Sequence, residues 1–166
     1  MTSDPVVHET ALPQSEPLPR IPASAGALLW NRKGRLLVLD PTYKGGWTLP
    51  GGVMEADGET PWEACQREVL EETGITVTPG ALAAVDFLRP RPGRPGGLRL
   101  LFDCGTFKDD VFDAVVLQPE EIGRYELVKP KRALELLSRP VRRRVAAVLG
   151  DRNRVHYLED GRPLDR

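Results

Sequence analysis

Apolar residues in this chain gather into short runs, and polar stretches rich in glycine and proline separate them. The runs Ala23–Trp30, Arg35–Leu39, Ile75–Val77, Ala81–Phe87, Leu98–Phe107 and Tyr125–Val128 read as strands. Asn31-Arg32-Lys33-Gly34 reads as the tight turn of a hairpin joining the first two. Trp47-Thr48-Leu49-Pro50-Gly51-Gly52 reads as a further short strand that runs into a backbone only glycine permits. After Thr60 the period becomes helical. Thr60 stands as N-cap, Pro61 at the first helical position, and Glu63 where its carboxylate reaches back to the cap. The helix therefore starts near Pro61, and Gly74 supplies the left-handed residue that stops it. Trp62, Cys65, Val69 and Thr73 form its apolar stripe, which should pack on a sheet. A second helical region covers Lys131–Leu149 and is interrupted at Pro140, a residue suited to the first turn of a fresh helix. Val141, Val145 and Val148 give it an apolar stripe, and Arg142, Arg143 and Arg144 read as its solvated face. These elements predict an α/β fold built on a mixed β-sheet.

Residues 1–22 do not share this patterning. They are polar, carry five prolines and show no periodicity, so they read as a flexible or extended arm ahead of a single domain at residues 23–166. Two readings of the arm stand: disorder, or a segment laid along the partner of a homodimer.

Composition narrows the classes. The chain has 166 residues, 40% of them hydrophobic, with a net charge of −1 and a pI near 6.2, enough for one sizeable core and no bias toward nucleic acid. No apolar run is long enough to span a membrane, and the N-terminus lacks a charged-then-apolar signal pattern, so a cytoplasmic location is expected. Cys65 and Cys104 read as small buried hydrophobes rather than a disulfide or a metal site. His8 and His156 have no evident partner for a catalytic dyad.

The chemistry concentrates on the first helix. Glu68 and Glu72 stand at i and i+4, with Glu71 three residues after Glu68, so three carboxylates crowd one side of the cylinder. Like charges at this spacing destabilise a helix unless something positive neutralises them. One reading is a solvated acidic face. The other is a site for a hard divalent cation such as Mg²⁺, which takes a few carboxylates together with waters and substrate phosphates. Two basic loops are candidates for contact with a substrate. In Tyr43-Lys44-Gly45-Gly46-Trp47, Lys44 is placed to reach a phosphate and Tyr43 or Trp47 to stack on a base; the alternative is an exposed Lys44 and a core Trp47. The stretch Arg89–Gly97, with Arg89, Arg91 and Arg94, is long enough for a lid or specificity loop between two strands.

The run Arg67-Glu68-Val69-Leu70-Glu71-Glu72-Thr73-Gly74-Ile75, preceded after seven residues by Glu59, resembles the Nudix box, the loop–helix–loop signature of the Nudix hydrolases. It matches the family pattern at every fixed position from Glu59 onward. The departure lies before it, where six residues, Val53 to Gly58, separate Gly52 from Glu59 and the family usually has five. Lengthening a turn by one residue costs little. The resemblance implies a Nudix α/β/α sandwich. It implies Mg²⁺ or Mn²⁺ held by Glu68, Glu71 and Glu72 with the carbonyl of Gly51. Arg67 would aim a carboxylate, at Glu71 or Glu59, rather than bind metal. The general base would be a box glutamate, Glu68 or Glu71, or a glutamate of the downstream loop, Glu120 or Glu121. The activity implied is metal-dependent hydrolysis of a diphosphate linkage in a small nucleoside diphosphate derivative, of ADP-ribose or nucleotide-sugar type. Pro90, about fifteen residues past the box, is similar to a feature of ADP-ribose-hydrolysing relatives. The other functions the family offers are sanitising of 8-oxo-dGTP-type nucleotides and non-catalytic nucleotide sensing.

Overall fold

A computed structural model describes residues 18–78 and 80–164. The expectation for the arm falls largely outside them. The first strand, β1 (Ala23–Asn31), turns through Asn31–Gly34 into β2 (Leu36–Pro41), and the Asn31 side chain accepts the N–H groups of Lys33 and Arg35 to fix that turn. Then come β3 (Gly51–Val53), helix α1 (Pro61–Thr73), β4 (Ala81–Leu88), β5 (Gly97–Phe107) and a short helix α2 (Asp109–Asp113). The chain continues through β6 (Ile122–Val128), α3 (Pro130–Leu136), α4 (Arg139–Gly150), β7 (His156–Glu159) and β8 (Arg162–Pro163). The sheet runs β6-β2-β1-β5-β4-β7-β8, with β3 paired to the start of β1. β1 lies parallel to β5 and β4 parallel to β7, while the hairpin partners are antiparallel, so the sheet is mixed as expected.

Alternation along β1 divides the core. Ala25, Ala27 and Leu29 face α1, where they meet Ala64, Cys65 and Val69. Leu28 and Trp30 face the other way, toward Ala133 of α3 and Val145 and Val148 of α4. Each fully buried leucine or valine among them is worth about 1.5–3 kcal/mol. The result is the expected sandwich, with α1 on one face and α3 and α4 on the other.

Three local readings are corrected. Ile75–Val77 is not a strand: Ile75 and Val77 are buried, but as plugs of an irregular segment with no neighbouring strand to pair it. The segment at 47–53 becomes a strand only from Gly51, because Trp47 and Thr48 make isolated bridges to Leu137 and Leu39. Trp47 is itself a core residue, with the Arg124 guanidinium 4.9 Å from its ring centroid. Finally, Arg144 does not lie on a solvated face. It is drawn toward the sheet by a 3.1 Å ion pair to the fully buried Asp86 of β4. α2, β7 and β8 were not anticipated, being too short to show a period.

Candidate active site

Helix α1 is fixed at both ends by local chemistry. Thr60 Oγ1 accepts the N–H of Glu63 at 3.2 Å, and Glu63 accepts the N–H of Thr60 at 2.8 Å. Gly74 closes the helix at φ 71°, donating its N–H to Leu70. Cys65, Val69 and Thr73 are buried as expected, and Trp62 meets Phe102 edge-on at 5.2 Å. The free thiols of Cys65 and Cys104 are neighbours inside this core, and their contact together with burial pushes the Cys65 pKa up.

The carboxylates do not lie on a solvated face. Glu72 is only 3% exposed, because β3 closes over it and Gly51 donates its N–H to Glu72 Oε2 at 2.8 Å. Burial, reinforced by the neighbouring charges of Glu68 and Glu121, pushes its pKa up to about 8; the Gly51 N–H and Lys44 act in the opposite direction. Glu68 is held up by burial too, with Arg67 opposing. Its carboxyl lies against the Cα of Gly52, in the space a Cβ there would occupy. Gly51, at φ 144°, presses on the backbone of Ala25 and Gly26. The two glycines thus let β3 approach β1 on one side and the carboxylates on the other.

Arg67 organises the rest. Its guanidinium grips Glu59 with two bonds, Nε to Oε1 at 2.7 Å and Nη2 to Oε2 at 3.1 Å. The same fork donates to Glu68 at 2.9 Å, Glu71 at 3.3 Å and the carbonyl of Val53 at 3.1 Å. Glu59 in turn accepts the N–H of Glu55 at 2.7 Å. These bonds pin the lengthened turn 53–58, and they hold the Glu59 pKa below the ordinary carboxylate range, the Arg67 bond being the larger cause. Arg67 therefore engages both partners expected for it, and Glu68 besides.

Of the loop glutamates, Glu121 stands near enough to both Glu68 and Glu72 to raise their pKa values, whereas Glu120 is exposed. Thr42 fixes this loop by donating its N–H to the Glu121 carbonyl at 2.8 Å and its hydroxyl to the Glu120 carbonyl at 2.7 Å. Lys44, exposed beside Tyr43, lies close enough to Glu72 to act on its charge. Arg89 and Arg91 stand elsewhere. Arg89 pairs with Glu159, and Arg91 with Asp160 at 3.1 Å, on a cavity whose lining includes no residue of the box.

The donor set suits a divalent cation. Glu72 is a buried carboxylate with no Lys or Arg ion pair among the described residues, and two more carboxylates face it. Arg67 cannot neutralise it, being occupied with Glu59, Glu68 and Glu71. Among the described residues no three acidic, His or Cys side chains are yet gathered into a cage. Arg67 holds Glu71 toward itself, and like charges keep the others apart.

The NUDIX domain family model matches residues 20–149. A MutT-like protein of Streptomyces ambofaciens is 45% identical over 62 residues, 37% of this chain and 40% of that protein. The phosphatase NudJ of Escherichia coli K12 is 44% identical over 55 residues, 32% of this chain and 35% of its own length. The chain thus spans well under half of the curated relatives it matches. Among solved structures, the MutT protein of Methanosarcina mazei Go1 superposes with a TM-score of 0.68 at 29% identity, covering 80% of this chain and 96% of that one.

Proposed function

The chain belongs to the NUDIX family, and from that premise we propose that it is a divalent-metal-dependent hydrolase that cleaves the diphosphate linkage of a small nucleoside diphosphate derivative. The observation that carries this reading is Glu72, a buried carboxylate beside Glu68 and Glu121 that forms no ion pair with a Lys or Arg among the described residues. Glu68 and Glu72, with Glu71 released from Arg67 and the Gly51 carbonyl, are the groups that would hold Mg²⁺ or Mn²⁺. Bound there, the cation neutralises phosphate charge, acidifies water and stabilises the leaving oxygen.

The remaining work falls to the protein. Arg67 gathers Glu59, Glu68 and Glu71 around one guanidinium and so keeps the carboxylates beside the place the cation would take. Lys44 offsets the charge of an entering diphosphate, and the exposed ring of Tyr43 offers a face for a base. Glu121, on a loop tied down by Thr42, accepts the proton of the attacking water at its carboxylate.

The test is a panel of ADP-ribose, nucleotide sugars, dinucleoside polyphosphates and oxidised nucleoside triphosphates, assayed with Mg²⁺ and after metal removal. Products are read by coupled phosphatase release. We expect turnover of at least one of them, dependent on Mg²⁺ and lost in Glu121→Gln. Turnover that persists without any divalent ion would overturn the reading.

A further inference from the structure

A second charged feature lies on the face of the sheet opposite α1. A cavity of about 820 Å³ opens between the β4–β5 loop, the start of α4 and the β7–β8 hairpin. Seven arginines line it against two carboxylates, Glu159 and Asp160. Arg89 and Arg91 use those carboxylates in ion pairs. Arg94 and Arg99 from the β4–β5 side, Arg139 and Arg143 from α4, and Arg162 from β8 form no ion pair with a described carboxylate.

The cavity is built rather than incidental. Asp86, fully buried, accepts from Arg144 at 3.1 Å and from the Gly161 N–H at 2.8 Å, which ties α4 to the β7–β8 turn. Arg143 donates to the Asp160 carbonyl at 3.1 Å. Arg99 donates to the carbonyls of Leu98 and Gly96, so its guanidinium is held at the mouth of the loop. Burial and the neighbouring Arg139, Arg162 and Arg142 charges lower the Arg143 pKa, and burial lowers that of Arg99. Guanidinium groups crowded in this way repel one another, and the natural relief is a multiply charged anion that their planar forks can grip in pairs.

We propose that this arginine-lined cavity is a binding site for an oligophosphate, separate from the carboxylate site. Its volume falls within the range of small-molecule sites. The described lining contains no aromatic ring and no Asn or Gln, and its seven guanidinium groups outnumber its two carboxylates, so phosphate is the group it suits best. The ligand class is therefore a di- or triphosphate group, whether free or as the tail of a nucleotide.

The test is calorimetric titration of the full chain, stripped of metal on a chelating resin, with tripolyphosphate and with ATP. Arg139 and Arg162 are exposed, so Arg139→Gln/Arg162→Gln removes two charges without opening the core. Circular dichroism melting confirms that the variant folds. Tripolyphosphate should bind the wild type at least as tightly as ATP does. Its affinity should fall tenfold or more in the arginine variant and stay unchanged in Glu68→Gln. Absence of binding to the wild type, full affinity in the arginine variant, or loss in Glu68→Gln would each overturn the site. Tighter binding of ATP than of tripolyphosphate would overturn recognition through the phosphate chain alone.

Discussion

The carboxylate site beneath β3 and the arginine cavity beside the β7–β8 hairpin sit on opposite faces of one sheet and carry opposite uncompensated charge. In the first, acidic groups are packed close enough that burial and mutual repulsion raise the pKa of Glu72 to about 8. In the second, guanidinium groups that cannot lose their charge are packed against one another. A carboxylate cluster has two ways out, protonation or a cation. An arginine cluster has only an anion. Glu72 is accordingly buried and bonded to backbone, while most of the basic cluster stays open to solvent, where water screens the repulsion.

Glu72→Gln should give the largest separation between the two regions. The amide keeps the shape and the bond from Gly51 but removes the charge a cation needs. Losing several kcal/mol of charge stabilisation corresponds to a turnover about 10²- to 10³-fold lower. Tripolyphosphate binding at the arginine cavity should not move. Steady-state assays across a Mg²⁺ titration check the first point, and calorimetry the second. Unchanged turnover and metal dependence would return Glu68, Glu71 and Glu72 to a structural role.

The comparison also explains what could be read in advance. The acidic site comes from one contiguous segment, residues 51–75, in which the capping box, the i, i+4 glutamates and Gly74 all lie within a few turns. Local rules therefore placed the three glutamates on one side of a capped helix, and the family resemblance supplied the partners of Arg67, Glu71 or Glu59. Burial of Glu72 was not legible, because it depends on β3 folding back against β1. The arginine cavity draws on the β4–β5 loop, α4 and β8, parts of the chain that only the sheet order brings together. Read along the chain, Arg89 and Arg91 suggested a lid and Arg142–Arg144 a solvated face. Their partners are distant in sequence: Glu159 for Arg89, Asp160 for Arg91 and the buried Asp86 for Arg144.

Substituting the paired glycines sharpens the view of the acidic site. In Gly52→Ala the new methyl displaces only the end of the Glu68 side chain, so the fold should survive while activity falls about 10- to 100-fold. In Gly51→Ala the methyl meets the backbone of Ala25 and Gly26 at a φ of 144°, and strain alone costs about 1–3 kcal/mol. The expected pattern is a near-normal melting temperature for the first and a clearly lowered one for the second. Equal melting temperatures would show that β3 is not held against β1 in solution.

The smallest effect concerns pH and needs no substrate. In the metal-free fold the Glu72 pKa is raised to about 8 from its ordinary 4.5, so the folded chain binds that proton more tightly than the unfolded chain does. The stability this contributes is fully present below 4.5 and is lost as pH rises through 8. Melting temperatures of metal-stripped protein should therefore decline between these values. Glu72→Gln should lessen the decline. Mg²⁺ should oppose it, since binding requires the ionised carboxylate and stabilises the fold by mass action, increasingly as pH rises. The arginine cavity contributes no slope in this window, because its guanidinium groups stay charged throughout. Calorimetric melting of wild type and Glu72→Gln across this range, with and without Mg²⁺, is the measurement. Equal slopes in the two metal-free proteins would place the pH dependence elsewhere in the molecule and remove Glu72 as the charge that awaits a cation.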